Sequence, residues 1–403
     1  MVNKELKLFF EEFINKDSIF LNKKALQSNY MPENIFHRDL EINKTAKILA
    51  PALKLEKPSN LFIYGKTGTG KTLTIRYVTS NILDVARQKN LPLKVVYLNC
   101  KMKKIADTEY RLIAQLIREF GRDIASTGLP TDVVYHSFFS IVETEKKLIL
   151  LVLDEIDQLI KKTGDEVLYN LLRINEELKN SLISIIGISN DLSFVDSLDP
   201  RVKSSLSEEE LIFPPYNAIQ IRDILRGRAK EAFKEGVLGE GVIEKCSAYA
   251  ARDHGDARRA LELLRVAGEI AERNNEKKVE IGHIDLAEEK IERDRILETI
   301  ITQPKQAQAT LYSIIVLDEK KKEKIFTGDV YELYKKISSE IGIRPLTQRR
   351  VSDIIAELDM LGIINAKVIS KGRYGRTREV SLLISPAVSQ RAKKILRDSL
   401  SLL

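Results

Sequence analysis

The stretch Gly65-Lys66-Thr67-Gly68-Thr69-Gly70-Lys71-Thr72 decides how the rest of the chain is read. It fits the pattern G-x-x-x-x-G-K-[ST] at every fixed position, with an apolar run at 60–64 (NLFIY) before it and a helical pattern over 71–89 after it. Glycines at these places let backbone N–H groups turn toward bound phosphates, and the N-terminus of the following helix adds the positive end of its dipole. Lys71 is placed to reach the β and γ phosphates of a nucleoside triphosphate, and Thr72 to bind Mg2+. A chance Gly-rich turn is the alternative; eight matched positions between a strand and a helix argue against it.

Working outward, residues 94–99 (KVVYLN), 148–153 (LILLVL) and 182–188 (LISIIGI) are apolar runs of strand length, and 209–213 is a fifth. Helical patterns lie between them, notably at 108–120 and 165–179. Strands alternating with helices predict an α/β fold with a parallel sheet covered on both faces. The run at 148–153 delivers Asp154 and Glu155 to the carboxyl edge of that sheet, where open α/β sheets bind ligands. There Asp154 would hold the magnesium shell and Glu155 would polarise an attacking water. Asp157 reads as a helix N-cap. Asn190 ends the run at 182–188 on its polar side, either positioning that water beside the γ-phosphate or serving as an ordinary turn residue.

The Pro214-Pro215 pair closes the alternating region. From 217 to about 300 the pattern is helical, broken at Asp253-His254-Gly255-Asp256. Arg258 stands near the start of the helix opened by Asp256. A cation there is unfavourable unless an anion compensates it, which favours phosphate contact. Gln303-Pro304-Lys305 marks a second boundary. Helical patterns then cover 307–317, 327–340 and 347–361, followed by a strand at 363–370, a Gly-containing turn at 371–377 and a returning strand at 378–384. Three helices and a two-stranded hairpin make a winged helix-turn-helix layout.

Charge singles out the same region. Residues 296–403 hold 19 Lys and Arg against 12 Asp and Glu, so the whole net charge of +7 lies there. Such asymmetry suits a nucleic-acid-binding module, and by charge alone equally a solvated Lys/Arg face. The stretch 365–378 carries Lys367, Lys371, Arg373, Arg376 and Arg378 with no acid, and Gly372 and Gly375 bracket Arg373 and Tyr374 at the hairpin tip. A cationic tip suits a minor groove. Upstream, Thr347-Gln348-Arg349-Arg350 opens the third helix, the part that recognition helices present to the major groove. Gln348 and Arg350 suit base edges; Thr347 and Arg349 could instead hold phosphates. The competing reading is a winged helix used for protein contacts.

Composition sets the outer bounds. The chain has 403 residues, 43% hydrophobic and 31% charged, enough for two or three domains without staples. Cys100 and Cys246 lie far apart and outside any metal-ligand spacing, as reduced thiols of a cytoplasmic protein do. His136, His254 and His283 show no ligand spacing either. The start, MVNKELKLFFEEF, reads as an amphipathic helix and lacks a signal-peptide core; no apolar run reaches membrane-spanning length, so no membrane partner is expected.

The phosphate loop, the acidic pair after 148–153 and Asn190 together resemble an AAA+ ATPase. Three further segments resemble the archaeal replication initiators related to the origin recognition complex and its cell-division-cycle paralogue. They are Pro32-Glu33-Asn34-Ile35-Phe36-His37-Arg38-Asp39-Leu40-Glu41-Ile42, Leu198-Asp199-Pro200-Arg201-Val202-Lys203-Ser204-Ser205-Leu206 and Gly255-Asp256-Ala257-Arg258-Arg259-Ala260-Leu261. The resemblance covers nearly the whole chain in order. It implies an AAA+ P-loop NTPase core with an N-terminal linker over 1–214, an all-α lid over 215–300 and a winged-helix DNA-binding domain over 301–403. A helical insertion at 101–145, with its tip at 126–130, would also touch DNA. His37 and Arg38 would pack by the adenine, with His37 equally a candidate surface residue; Arg201 would be an arginine finger or a plain surface residue, and Arg258 the lid's sensor. Tyr216 and Arg228 match nucleotide-pocket positions and could equally be lid packing or a solvated helix face.

What the family implies is a weak ATPase, binding ATP or ADP with Mg2+, that recognises double-stranded origin DNA and acts as a switch. It would load a replicative helicase beside other initiator subunits, in the cytoplasm at the nucleoid. Two rivals share these parts: a DNA motor of the branch-migration type and an ATP-sensing winged-helix transcription regulator. The insertion at 101–145 and the HRDLEI stretch favour the initiator over the first, and an intact Glu155 argues against the second.

Overall fold

The computed structural model describes residues 17–101, 108–125, 128–194, 198–206, 208–253, 255–320, 324–370 and 376–402. The helix expected at the start, Lys103 and Lys104 of the expected insertion, Ser126 and Thr127 of its expected tip, and His254 fall outside them, as do Lys371, Gly372, Arg373, Tyr374 and Gly375 of the hairpin tip. The chain divides into two compact units, residues 1–284 and 285–403.

The first unit is built on β1 (Leu61–Tyr64), β2 (Leu93–Asn99), β3 (Leu148–Asp154), β4 (Leu182–Ser189) and β5 (Glu209–Ile212). They form one parallel sheet in the order β2-β3-β4-β1-β5. Strand residues alternate between two cores, as the pleat requires. Phe62, Ile149, Leu151 and Leu153 join the core against α3 (Glu109–Glu119), α4 (Thr131–Val142), α5 (Ile156–Thr163) and α6 (Glu166–Leu172), whereas Leu61, Ile63, Leu150 and Val152 join the one holding Leu49 of α1 (Asp39–Leu49) and Ile75 of α2 (Lys71–Gln88). Every residue of β3 is buried, which explains a run without polar alternation. All five strands point the same way, so the segments after β1, β3 and β4 emerge on one edge.

Beyond α7 (Pro200–Leu206) and β5 come α8 (Ala218–Ala232), α9 (Val242–Arg252), α10 (Ala257–Arg273) and α11 (Ile281–Thr302). Asn217 starts α8 with a reciprocal capping box to Gln220. The helical reading of 217–300 needs correcting at two further breaks. Residues 233–241 and 274–280 leave the helix, and Phe233 and Leu238 bridge instead to Phe20 and Val279. Gly236 and Gly241, at φ +74° and +78°, explain the first break.

In the second unit α12 (Lys305–Lys320), α13 (Thr327–Glu340) and α14 (Gln348–Met360) enclose a core with buried Tyr334, Ile314 and Ile355. The hairpin is β7 (Ile364–Ser370) with β8 (Arg376–Leu382), antiparallel from Ile364–Leu382 to Ser370–Arg376. Two elements correct the two-stranded, three-helix reading. A short β6 (Ile325–Phe326) pairs with β8 and makes a three-stranded sheet, and α15 (Pro386–Leu400) closes the unit with Ala392 and Leu396 in its core. Two residues are too few to give a strand periodicity. The Ser385 cap and Pro386 at the first turn are the signals that announce α15.

Candidate nucleotide site and nucleic-acid interface

Gly70 opens α2 in a left-handed conformation, at φ +89°, and no side chain caps the helix. Its first turn also lacks acids. The leading N–H groups are therefore left for an anion from outside, at the positive end of an 18-residue helix. Gly65 lies so close to β5's exit that a Cβ would stand 2.4 Å from the Phe213 carbonyl oxygen. Lys71 is buried and folds back onto the loop, its Nζ donating to the Gly65 and Lys66 carbonyls at 2.7 Å each. Burial, with the Arg258 charge adding to it, pushes its ammonium down to about 8.

The acids of β3 face it. Asp154 is buried, and its Oδ2 accepts the Thr72 hydroxyl at 2.8 Å while Oδ1 accepts the Glu155 amide at 3.0 Å. The Tyr97 hydroxyl also donates to Asp154 Oδ2. Burial and the neighbouring carboxylate hold that phenol far above its ordinary range, so it stays a donor. Arg76, one turn below Thr72, lies over the Tyr97 ring at 4.2 Å. Glu155 starts α5 in a left-handed conformation, at φ +56°, and its carboxylate stays partly exposed, 3.7 Å from Lys101 Nζ. This turn is an uncommon one for a residue with a Cβ.

Asp157 is not the N-cap; Glu155 is. Asp157 is buried, accepts the Ser189 hydroxyl at 3.2 Å, lies 3.5 Å from the Asn190 amide, and faces Lys161 at 3.8 Å. It ties the turn after β3 to the end of β4, and so fixes the backbone that carries Asn190.

Gly68, Gly70, Lys71, Thr72, Arg76, Tyr97, Asp154, Glu155 and Asn190 line a cavity of about 510 Å3 that also holds Asn99, Tyr216, Arg228, Arg258 and Leu261. One wall comes from the N-terminal segment, including Met31, Pro32, Ile35 and Phe36, facing Ile224 and Gly227 of α8. Gly227 is needed there, since a Cβ would stand 2.6 Å from the Phe36 ring. Arg228 is buried, and that burial lowers its guanidinium's proton affinity; Nη2 donates to the Tyr30 carbonyl at 3.2 Å, and Nη1 has no hydrogen-bond partner among the described residues.

Lys71, Thr72, Gly68, Gly70, Asp154, Glu155, Asn190, Tyr216, Arg228 and Arg258 thus meet around one space. His37 and Arg38 do not line it, and neither do Gly65, Lys66, Thr67 and Thr69 of the loop. His37 pairs with Asp223 at 3.0 Å. Arg38 is buried beneath the loop, donating to the Thr69 and Pro214 carbonyls at 2.9 and 2.6 Å, with its guanidinium 4.0 Å from the Tyr216 ring. Its planar fork joins the phosphate loop to the strap after β5. Arg201 also lies elsewhere. It is exposed on α7, and Asp199 accepts two hydrogen bonds from its guanidinium at 3.1 Å each.

Tyr97, Arg76, Asn99 and Asp157 are the site residues that motif reading missed. Arg76 was findable, because it is four residues after Thr72 on the same helix face. Tyr97 and Asn99 alternate on β2, and the β2–β3 register that pairs Asn99 with Asp154 is a tertiary fact.

In the second unit Thr347 caps α14, its hydroxyl accepting the Arg350 amide at 3.4 Å. Gln348, Arg349 and Arg350 are exposed on the first turn, with Arg350 loosely facing Asp353 and Glu357 at 3.7 and 3.8 Å. Arg378 donates to the Ser352 carbonyl at 3.3 Å, joining the hairpin to α14. Ser370 pairs with Arg376, which opens β8; Lys371, Arg373 and Tyr374 between them lie outside the described residues. No helix among the described residues is long and apolar enough to cross a membrane.

Comparison with known proteins matches three successive segments of the chain. Residues 55–191 match the model of an AAA domain, 222–289 the Cdc6 AAA+ ATPase-type lid domain, and 298–392 the CDC6 C-terminal winged helix domain. The chain is 53% identical over 381 residues to the ORC1-type DNA replication protein of Thermococcus onnurineus, covering 94% of this chain and 91% of that one. It is 52% identical over 391 residues to ORC1-type DNA replication protein 1 of Methanosarcina mazei, covering 96% and 93%. The Aeropyrum pernix ORC1 protein, solved in complex with DNA, matches with a TM-score of 0.82 at 45% identity over 95% of this chain and 98% of that one. The A. pernix ORC2 protein, solved as ADPNP–ADP complexes, shares the fold at a TM-score of 0.60 and 20% identity over 95% of this chain and 99% of that one. An AAA+ core, a helical lid and a winged helix, matched in order and at this identity over nearly the full length, make the chain a member of the ORC1-type DNA replication protein family.

Proposed function

We propose that this chain is an initiator that binds double-stranded origin DNA, takes ATP with Mg2+, and hydrolyses it slowly as a switch for loading the replicative helicase. One observation carries the nucleotide part: the phosphate-loop residues Lys71 and Thr72, the acids Asp154 and Glu155, Asn190, and the lid residue Arg258 share one cavity. Thr72 and Asp154 offer hard oxygen donors 2.8 Å apart, a set that suits Mg2+, which would neutralise phosphate charge there. Lys71 releases its loop carbonyls to meet the β and γ phosphates. Glu155 takes a proton from the attacking water, and Asn190, held by the Asp157 network, orients that water. Tyr97 keeps Asp154 fixed in place. Arg258 answers the γ-phosphate from the lid.

For DNA, the basis is the relative solved with DNA at 45% identity, joined to the exposed Gln348, Arg349 and Arg350 at the start of α14. Gln348 and Arg350 would reach base edges in the major groove. Arg349 and the cationic hairpin residues Lys371, Arg373, Arg376 and Arg378 would track the backbone and the minor groove beside Tyr374. Footprinting on genomic DNA fragments, with and without ATP, tests the proposal. A few protected sites of shared sequence are expected; uniform, sequence-blind protection in both conditions would leave the origin reading without support.

Arg201 enters as a finger offered to a neighbouring initiator subunit, since it is exposed and outside its own chain's cavity. Arg201→Ala is expected to leave ATP affinity within about twofold of native and to abolish any rise in turnover with protein or DNA concentration. Native turnover that is independent of both, and equal in the variant, removes the finger role.

A further inference from the structure

The turn between α9 and α10 brings the lid against the phosphate loop, and the residue at the contact is an acid. Asp256 caps α10, its carboxylate accepting the Arg258 amide at 2.8 Å. The same carboxylate accepts the Thr67 hydroxyl at 3.4 Å, and the next amide, of Ala257, donates to the Gly68 carbonyl at 3.3 Å. Glycine is required on both sides of the contact. A Cβ on Gly68 would stand 1.7 Å from Asp256 Oδ1, and one on Gly255 would stand 2.2 Å from the Tyr216 carbonyl oxygen. Asp256 is thus wedged onto the third and fourth residues of the phosphate loop.

A helix cap alone does not need that charge. Asn and Ser cap about as well as Asp. A negative charge beside a loop that cradles the β and γ phosphates opposes the ligand, while Lys71 and Arg258 attract it. Both lid charges act on Lys71, which is depressed first by burial and then by Arg258, with Asp256 among the acids working the other way. Arg258, two residues along the same turn of α10, lines the cavity. The lid therefore offers the terminal phosphate one attractive and one repulsive group on a single rigid helix start.

We propose that Asp256 sets the preference of the site between triphosphate and diphosphate, its carboxylate at the crown of the phosphate loop opposing the added charge that Arg258 attracts. The inference rests on the nucleotide reading above. It makes Asp256 a specificity-determining residue that keeps ATP from outcompeting ADP by the full margin that Lys71 and Arg258 would give.

The test uses the full-length protein with Asp256→Asn and Asp256→Ser, both neutral and both cap-forming. Affinities for ADPNP and for ADP, each with Mg2+, are measured by titration calorimetry at 0.1 M and 1 M salt. In both variants ADPNP is expected to bind about tenfold more tightly than to the native chain, and ADP no more than about twofold. The gain should shrink at the higher salt, where the Debye length falls from about 10 to about 3 Å, and melting temperature should stay native. A purely structural cap would show no such salt dependence. An ADPNP-to-ADP affinity ratio equal to native in both variants overturns the inference while leaving the nucleotide site intact. So do opposite shifts for Asn and Ser, which would make cap geometry responsible. A native chain that binds neither nucleotide removes the nucleotide reading itself, and this inference with it.

Discussion

Glu155→Gln is expected to hold ATP and to stop turning it over. Loss of a positioned general base costs about two to four orders of magnitude, so turnover should fall by at least about a hundredfold while ATP affinity stays within about twofold. The geometry supports that separation. Glu155 sits on the left-handed turn after β3, partly exposed, with Lys101 as its facing cation. The groups that would grip phosphate are others: Lys71 on the loop carbonyls and Thr72 on Asp154. The substitution keeps the shape and the turn and removes one charge. Lys71→Ala is the contrast, because it deletes the buried cation of the loop and should weaken ATP binding itself. Equilibrium binding of ATP to both variants, beside phosphate release, separates the roles. Equal loss of binding in both would mean that Glu155 holds nucleotide and is not the base.

The second large effect is expected on DNA. Deleting residues 372–375 removes Arg373, Tyr374 and two glycines from the connection between β7 and β8. If these residues reach the DNA backbone and minor groove, affinity should fall on every sequence alike. The slope of log affinity against log salt should lose about 0.9 for each phosphate contact removed. Replacing Gln348 or Arg350 by Ala should act otherwise, costing about 1–3 kcal/mol on the preferred site and little on random DNA. Thr347 is a poorer choice of target, because its hydroxyl caps α14 and the loss would mix stability with binding. Fluorescence anisotropy over a salt series, on a footprinted site and on a scrambled duplex, measures both. Unchanged affinity after the deletion would take the hairpin out of the interface. Binding that maps wholly to residues 1–295 would take the winged helix out with it. A partial loss is compatible with a second contact from the insertion at 101–145.

The geometry of the phosphate loop was legible because it is local. The turn of the phosphate loop needs glycine at Gly68 and Gly70, at φ +71° and +89°, and leaves the start of α2 uncapped, so composition and spacing alone declare it. β3 was equally plain, since a strand buried along its whole length must be apolar along its whole length. The lid's helix start at Asp256 follows from its cap, and the winged unit from the switch of period after residue 361. Less legible were elements whose reason for existing lies elsewhere in the chain. β6 is two residues long and is defined only by pairing with β8. The breaks at 233–241 and 274–280 are held by bridges to distant residues.

The sequence by itself determined the phosphate-loop turn, the order of the domains and the basic character of the last hundred residues, because these depend on local dihedral demands, hydrophobic period and net charge. Only the tertiary structure decided which side chains share the cavity. It set Tyr97 on Asp154 through the β2–β3 register, turned Asp157 from a helix cap into the tie beneath Asn190, and put Arg38 under the loop with Met31, Pro32, Ile35 and Phe36 at the cavity wall. It also brought Asp256 onto Gly68, residues that sequence leaves far apart. The physical reason is the same in each case. Spacing along a chain fixes what a residue can do within one turn of helix or one strand, but a contact across elements depends on register and packing, which the chain acquires only when the whole core closes.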